Sequence, residues 1–505
     1  MSESATLAGK PRFMREEPRP AITPAQEAAI PRWIAEGPAA LADLRTAAFS
    51  ALKKTGLPHT GSEDFSFIRV GEFLPHLGPP ARFSGSSSGA SEAPGAQTAP
   101  DAEAASDAGT ESTRLAGGLP TSADVEAQLV DEARRSYAVL VDGNYVPELS
   151  KPGHGFRIST LSQGSLAAPV RAELIRIASE ETDAVAALGM IFARDPLVLQ
   201  VDAEAVPAEP LLLLHFHTGS GVRSDALIVY HGAKLSEAGV LVRHASLADS
   251  DTPPGAVATG SMENVHTVAL LDEAASLRFL EAGAAADSAS KANALIRDIH
   301  FRKLTARLDR NGRLQAVSAH TGSRLTRNGF SVDLAGEGAE AEVDGATVLT
   351  GNRQSHNFVR VRHLAPHCVS RQHFKSVAAD QARSSVDGTI YVAKGAQQTN
   401  AYQLINNLML SDEARADSKP QLMIFADDVK CSHGATSGKL DPAQQFYLES
   451  RGVPPAQARA LLTVAFIAEV LEKAGRAGFR EALDRALLDT LKNRLPAVSE
   501  GSRHV

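Results

Sequence analysis

The run Asp427-Asp-Val-Lys-Cys-Ser-His-Gly434 gathers the most reactive groups of the chain. Cys431 and His433 stand two apart, on a stretch that follows the apolar run Gln421 to Phe425, itself a strand by its pattern. In an extended chain, residues i and i+2 point to one face, so a thiol and an imidazole project side by side. Lys430 beside the thiol, together with His433, favours the thiolate, the form that binds metal or attacks an electrophile. Thiolate and imidazole suit iron–sulfur clusters, zinc or copper. Two ligands cannot complete a four-ligand site, so further ligands must come from elsewhere, with another chain the natural source. A lone Cys-x-His by itself favours the plainer reading, a buried cysteine with a structural histidine nearby.

Two other groups are weaker. Cys368 lies among His363, His367 and His373, which could bind metal but read better as a turn carrying surface histidines. His215 and His217 are also i, i+2 on a strand, with no carboxylate or cysteine at a suitable spacing, and read as strand-face histidines. There is no G-x-x-x-x-G-K-[ST], G-x-S-x-G or H-E-x-x-H, so the chain shows no ATP-binding loop of its own.

The elements that must position Cys431 and His433 are mostly strands. From about 196 to 440 the chain consists of short apolar runs such as Leu211 to Phe216, Leu227 to Tyr230, Val265 to Leu271 and Asn357 to Val361. Turn signals such as Asn311-Gly312, Asn328-Gly329 and Asp387-Gly388 punctuate them, and helical pattern is scarce. Many short strands without crossover helices fit a β-solenoid, in which each rung buries its inner face on the next. No fixed repeat period is visible, so two antiparallel β domains remain as the alternative.

Helical pattern flanks this region. Residues 21 to 57 read as helix, started by Thr23-Pro24, broken at Pro31 and Pro38, and stopped by Gly56. Residues 84 to 113 hold 24 Gly, Ser, Ala, Pro or Thr and no Val, Ile, Leu or aromatic residue, the composition of a flexible insert. A hairpin is expected at Tyr137 to Pro147 around Asp142-Gly143, then one helical stretch over 168 to 192. C-terminal helices start at Asp441-Pro442 and Pro454-Pro455, and a third carries Phe479 to Leu491. The expected organisation is 1–83 helical, 84–115 insert, 116–195 mixed, 196–440 solenoid core and 441–505 helical.

Composition narrows the function classes. The 505 residues are 43% hydrophobic and 22% charged, enough to bury cores in most of the chain. A net charge of −8 with no basic block argues against duplex-DNA binding. No apolar run approaches the roughly 20 residues of a membrane helix, and Met1 to Pro20 lacks the pattern of a secretory signal. Two cysteines exclude a disulfide scaffold and a four-cysteine zinc site. The expectation is a soluble cytoplasmic protein.

Long motifs in a fixed order bring a resemblance into view. Ser370 to Lys375, Gly388 to Ala393, Gln397 to Leu404, Asn406 to Ser411, Asp427 to Thr436 and Gln445 to Gly452 together resemble the SufB/SufD family. Weaker similarity runs back to about residue 185, with a trace at Gly56-Leu-Pro58 and Glu63-Asp-Phe65. The form Lys430-Cys-Ser-His-Gly-Ala-Thr436 is similar to the SufD branch, because SufB-type sequences tend to carry an acidic residue after this histidine. The resemblance implies a non-catalytic scaffold subunit for iron–sulfur cluster assembly. It implies a right-handed parallel β-helix core, which tips the solenoid question, with helical regions at both ends. It also implies pairing with SufB, docking of the ATPase SufC on the C-terminal helical region, and a transient cluster shared with SufB at Cys431 and His433. Phe446, Tyr447, Leu448, Arg451 and Gly452 are the candidate SufC contacts. A reduced flavin in the complex and a homodimer are left open. Two features depart from the family pattern: Glu63-Asp-Phe-Ser-Phe67 replaces an Asp/Glu-Trp-aromatic motif, and the 84–113 insert is unusual. The rivals are a thiol enzyme with His433 as base, a β-helix polysaccharide-active enzyme, and a SufB-like main scaffold. The single Trp33 and the absent secretory pattern disfavour the polysaccharide enzyme, and the scarcity of cysteines disfavours the main scaffold.

Overall fold

A computed structural model of the chain describes residues 24–58, 65, 67–68, 119–164, 166–217, 223–246, 262–283 and 299–473. The 84–113 insert, the Glu63-Asp64 motif and the helix expected at Phe479 to Leu491 lie outside these residues.

Strands dominate, and they form a parallel solenoid of two sheets. From Leu197 onward, consecutive strands alternate between a nine-stranded and a ten-stranded sheet, and each pairs in parallel with the strand two ahead in sequence. The alternative of two antiparallel domains is thereby excluded. Among the described residues two strand pairs are antiparallel. One is the expected hairpin, Tyr137–Val141 with Asn144–Tyr145, and the other joins Phe156–Thr160 to Leu197–Val201. The lack of a fixed sequence period has a structural cause: rung length varies. Register-paired residues are 27 apart at His320 and Thr347, 29 apart at Asp333 and Arg362, and 32 apart at Asp387 and Lys419.

Side-chain alternation sorts each strand into an inner and an outer face. Leu211, Leu213, Val240, Val242, Val265, Phe279, Leu304, Phe330, Val359 and Phe374 belong to one inner core between the sheets. Outer-face residues Leu227, Val229, Val268 and Leu270 are covered by N-terminal helices, and Leu212, Leu214, Leu280 and Val317 by the segment around Val125 to Val146 together with the helix Pro455–Glu472. That helix is also pinned by charge: Lys375 Nζ reaches Glu469 at 2.5 Å, and Lys473 Nζ reaches the wholly buried Asp344 at 3.0 Å. Burial pushes the Asp344 carboxyl up to about 6, with Lys473 opposing the shift.

The strands are longer than their apolar runs. Leu227 to Tyr230 sits within Arg223–Gly232, and Val265 to Leu271 within Met262–Leu271. The extensions are polar because one corner of the solenoid interior is polar. Asn328 there donates to Asn357 at 3.1 Å, Ser384 to Ser376 at 2.8 Å, and Asn407 to Ser418 at 2.9 Å. Inner-facing polar groups that bond one another, between rungs or between the two sheets, are tolerated in a core, but they break the alternation that marks a strand in sequence.

The helices need two corrections. The stretch expected over 168 to 192 is two helices, Ala168–Ser179 and Ala184–Phe192, because Asp183 caps the second by accepting from the backbone N–H of Val185 and Ala186. Pro31 does not break its helix, which runs Pro24–Glu36; the residue is exposed, so water can satisfy the carbonyl that its missing N–H leaves free. Pro38 does mark a boundary, and Gly56 ends the helix Ala42–Thr55 with φ of 73°.

Candidate functional site

Cys431 and His433 lie on Val429–Gly438, the terminal strand of the ten-stranded sheet. It pairs on one side with Thr399–Met409, and its other edge has no strand partner among the described residues. Arg415–Ile424 ends the nine-stranded sheet at the same end of the solenoid. Register places Cys431 opposite Ala401 and His433 opposite Gln403. Ala401 and Gln403 are buried, so Cys431 and His433 share the inner face, on the last rung, which no further rung covers among the described residues.

Polar contacts fix the approach of this strand. Gln397 accepts from the backbone N–H of Asp428 at 2.9 Å, and the Gln398 N–H donates to the Asp428 carbonyl at 2.6 Å. Farther along, Asn406 Nδ2 donates to Thr436 Oγ1 at 2.8 Å, while Asn406 Oδ1 meets His373 Nε2 at 2.9 Å. Asn407 donates to Ser437 Oγ at 3.1 Å. The strand that carries the thiol is therefore held in register by side chains as well as by its backbone ladder.

The expected thiolate is corrected. Burial against Ile390, Val392, Ala401 and Ala426 pushes the Cys431 thiol up, although a backbone N–H at Ala401 opposes the shift. Lys430 is exposed, and as the adjacent residue of a strand it projects to the opposite face from Cys431. A cation on the far face of a sheet cannot stabilise the thiolate as sequence adjacency suggests. Cys431 is half-buried and His433 exposed, so the pair sits at a surface and not in a sealed core. Alkylation of Cys431 by iodoacetamide at pH 7 is expected to be no faster than that of free cysteine, and to rise as the pH passes the ordinary thiol value of 9.0. Peptide mass spectrometry reads the rate, and a burst at pH 7 would reinstate the activated thiol and with it the thiol-enzyme reading.

Around this end several large apolar side chains are exposed. Tyr402 is 42% exposed, Leu404 40%, Met423 46% and Phe425 55%, all on or beside the last strands. Phe446 and Tyr447 are exposed on the helix Pro442–Ser450, which buries no residue of its own. Leu448 is half-buried, Arg451 stacks 5.1 Å from the Tyr447 ring centroid, and Gly452 turns the chain with φ of 85°. An exposed aromatic pair on a helix without a buried face is a surface lacking a hydrophobic neighbour within the described chain.

The other sequence candidates separate. Cys368 is wholly buried, with its thiol donating to the Gly336 carbonyl at 3.3 Å. His363 is also buried and meets Ser370 Oγ at 2.9 Å, whereas His373 engages Asn406. Only His367, at a turn with φ of 62°, is the surface histidine expected of this segment. His215 and His217 do lie on one strand face, and that face is the interior. There they join His244, Glu263, Glu281, His300 and Arg302, a cluster the sequence reading missed. The cluster draws on five strands, and the pairings His215 with His244, Glu263 with His300, and Val242 with Glu281 bring its members together.

Comparison with known proteins follows the same outline. A family model described as "SUF system FeS cluster assembly, SufBD core domain" matches residues 257–466. The iron–sulfur cluster assembly protein SufD of Escherichia coli is 30% identical over 384 residues, covering 75% of this chain and 82% of that protein. An iron–sulfur cluster assembly SufBD family protein of Synechocystis is 29% identical over 357 residues, covering 70% and 77%. SufD of Bacillus subtilis is 34% identical over a shorter 164 residues, 32% of this chain and 37% of that one. With a parallel two-sheet solenoid, a Cys-x-His pair on its last rung and similarity along most of a SufD sequence, the chain belongs to the SufB/SufD family of iron–sulfur cluster assembly proteins, as a SufD-like member.

Proposed function

We propose that this chain is a non-catalytic scaffold subunit of a cytoplasmic cluster-assembly machine, pairing with SufB through the open end of its solenoid. The observation that carries the reading is the position of Cys431 and His433, on the inner face of the last rung, beside exposed apolar side chains and a strand edge that has no strand partner among the described residues. A second chain laid against this end would cover Tyr402, Leu404, Met423 and Phe425 and bring its own ligands to the thiol and imidazole. The nascent iron–sulfur cluster is then cargo held between two subunits, because one sulfur and one ring nitrogen are too few to hold it. A thiol pushed up by burial suits this role: it stays protonated until iron displaces the proton at the seam.

SufC docking belongs to the helix Pro442–Ser450 and its C-terminal turn, where Phe446 and Tyr447 offer an apolar contact and Leu448, Arg451 and Gly452 set its shape. ATP hydrolysis by SufC would move the C-terminal helices and so reshape the SufB seam, since Pro455–Glu472 packs on the outer face of the same sheet that ends in Cys431.

Co-expression with SufB and SufC, followed by anaerobic cluster reconstitution, tests both parts. Cys431→Ala is expected to lower cluster yield by at least about tenfold, and His433→Ala by a smaller factor, with the complex still co-purifying. Phe446→Ser with Leu448→Ser is expected to release SufC while leaving SufB bound. Unchanged cluster yield in Cys431→Ala would remove the ligand role, and undiminished SufC binding would remove the docking assignment.

A further inference from the structure

We propose that the solenoid interior contains a binding site for one divalent first-row transition-metal cation, formed by His215, His244 and Glu263. Each of the three offers a donor atom within 4.8 Å of the others, and all three are buried. They come from three successive rung positions at one corner: His215 and His244 are register neighbours in one sheet, and Glu263 is the second residue of the facing strand Met262–Leu271. Two imidazoles and one carboxylate form a donor set suited to zinc or ferrous iron. Donors on a four-coordinate ion at about 2 Å lie roughly 3.3 Å apart, so small side-chain rotations close the triad.

Two further observations point to a ligand. His215 is 2% exposed, and its Nε2 has no hydrogen-bond partner among the described residues, which leaves a polar atom of the core uncompensated there. The surroundings also have the arrangement that orients metal ligands. His244 Nε2 lies 3.0 Å from Glu281 Oε1 while its Nδ1 lies 2.6 Å from Glu263 Oε1. Glu281 can thus hold the tautomer of His244 through one nitrogen and leave the other for the cation, which would replace the proton between Nδ1 and Oε1. The second carboxylate oxygen, Glu263 Oε2, is held by His300 Nδ1 at 2.8 Å and Arg302 Nη2 at 3.2 Å. Gly283 makes room for this guanidinium, because a Cβ there would stand 2.4 Å from Arg302 Nη1. Along the apolar side of the interior the same positions are filled by Leu, Val and Phe, whereas this corner gathers charged and imidazole side chains.

The site is separate from Cys431 and His433, which lie on the last rung, and its test is built to keep them apart. The full chain carrying Cys431→Ala and His433→Ala, stripped with chelator and free of any affinity tag, is titrated with Co²⁺ and with Zn²⁺. The expected result is about one tight equivalent, with Co²⁺ giving the ligand-field absorption of a low-symmetry nitrogen–oxygen site and no thiolate charge-transfer band. His215→Gln in that background, with its fold checked by circular dichroism, is expected to weaken binding by about 100-fold, and Glu281→Gln by about tenfold. If His215→Gln fails to fold, the titration of the parent chain and the Glu281→Gln variant still decide. Absence of a tight equivalent in the folded parent chain would overturn the site, as would binding that His215→Gln or Glu281→Gln leaves unchanged.

Discussion

Acidification from pH 7 to pH 5 is expected to destabilise the chain by about 6 kcal/mol, most of the stability of an ordinary domain. Four buried histidines cause it, His320 and His363 on the inner strand face and His266 and His356 on the covered outer face. Burial lowers His266 and His363 to about 4 and His320 and His356 to about 3, from an ordinary 6.5. When the folded value is the lower one, the unfolded chain binds more protons between the two, so stability rises with pH in that window and is lost as pH falls below 6.5. Each group contributes up to about 1.4 kcal/mol per pH unit, hence nearly 2 kcal/mol each between pH 7 and 5. His215 and His373, also lowered by burial, act in the same direction. Two groups oppose it. Asp344, raised to about 6, offsets roughly 1 kcal/mol on acidification. His217 is raised because its contact with Glu263 outweighs its burial, and it also favours the folded state at lower pH. Urea midpoints at pH 7, 6 and 5 measure the slope. Uptake of less than one proton on unfolding between pH 6 and 5 would mean that these imidazoles titrate normally in the folded chain.

The second large effect is expected at Glu263. Its carboxylate lies 2.6 Å from His244, 2.8 Å from His300, 2.9 Å from His217 and 3.2 Å from Arg302, and is 1% exposed. Burial alone would raise its pKa, but His244, His217 and Arg302 outweigh burial and hold it well below the usual carboxylate range. Glu263→Ala removes the one group that these four cations or donors share, and leaves Arg302 buried. The expected loss is about 3–5 kcal/mol, because Arg302 is left with the more distant Glu281, 3.7 Å away, and an undercompensated buried charge costs more than the intact pair contributes. Glu263→Leu with Arg302→Met should recover most of that loss, as an apolar pair of similar volume removes both charges. Chemical denaturation of the single and double variants provides the comparison. A loss below about 1 kcal/mol in Glu263→Ala would show that the guanidinium finds another partner or water.

The apolar halves of many strands, the hairpin at Asp142-Gly143, the helix stop at Gly56 and the Cys431–His433 spacing were legible from residue order. Each depends on neighbours a few residues apart, where alternation, turn chemistry and capping act. The motifs from Ser370 to Gly452 carried the family as well. Residue order misled where neighbours in sequence point to opposite faces, so Lys430 offers its ammonium away from the thiol it adjoins. The polar halves of the strands were also hidden, because hydrogen bonds between rungs replace the apolar inner face that pattern-reading seeks. His215, His244 and Glu263 show the limit most clearly. Their spacing in the chain is set by variable loop lengths and carries no signature, whereas parallel register stacks them within a few ångströms at one corner. Sequence alone marked the apolar runs of many strands and placed Cys431 and His433 on one extended stretch. Stacking of the rungs decided which polar side chains meet, because contacts across a solenoid join residues about thirty positions apart whose proximity no local force records.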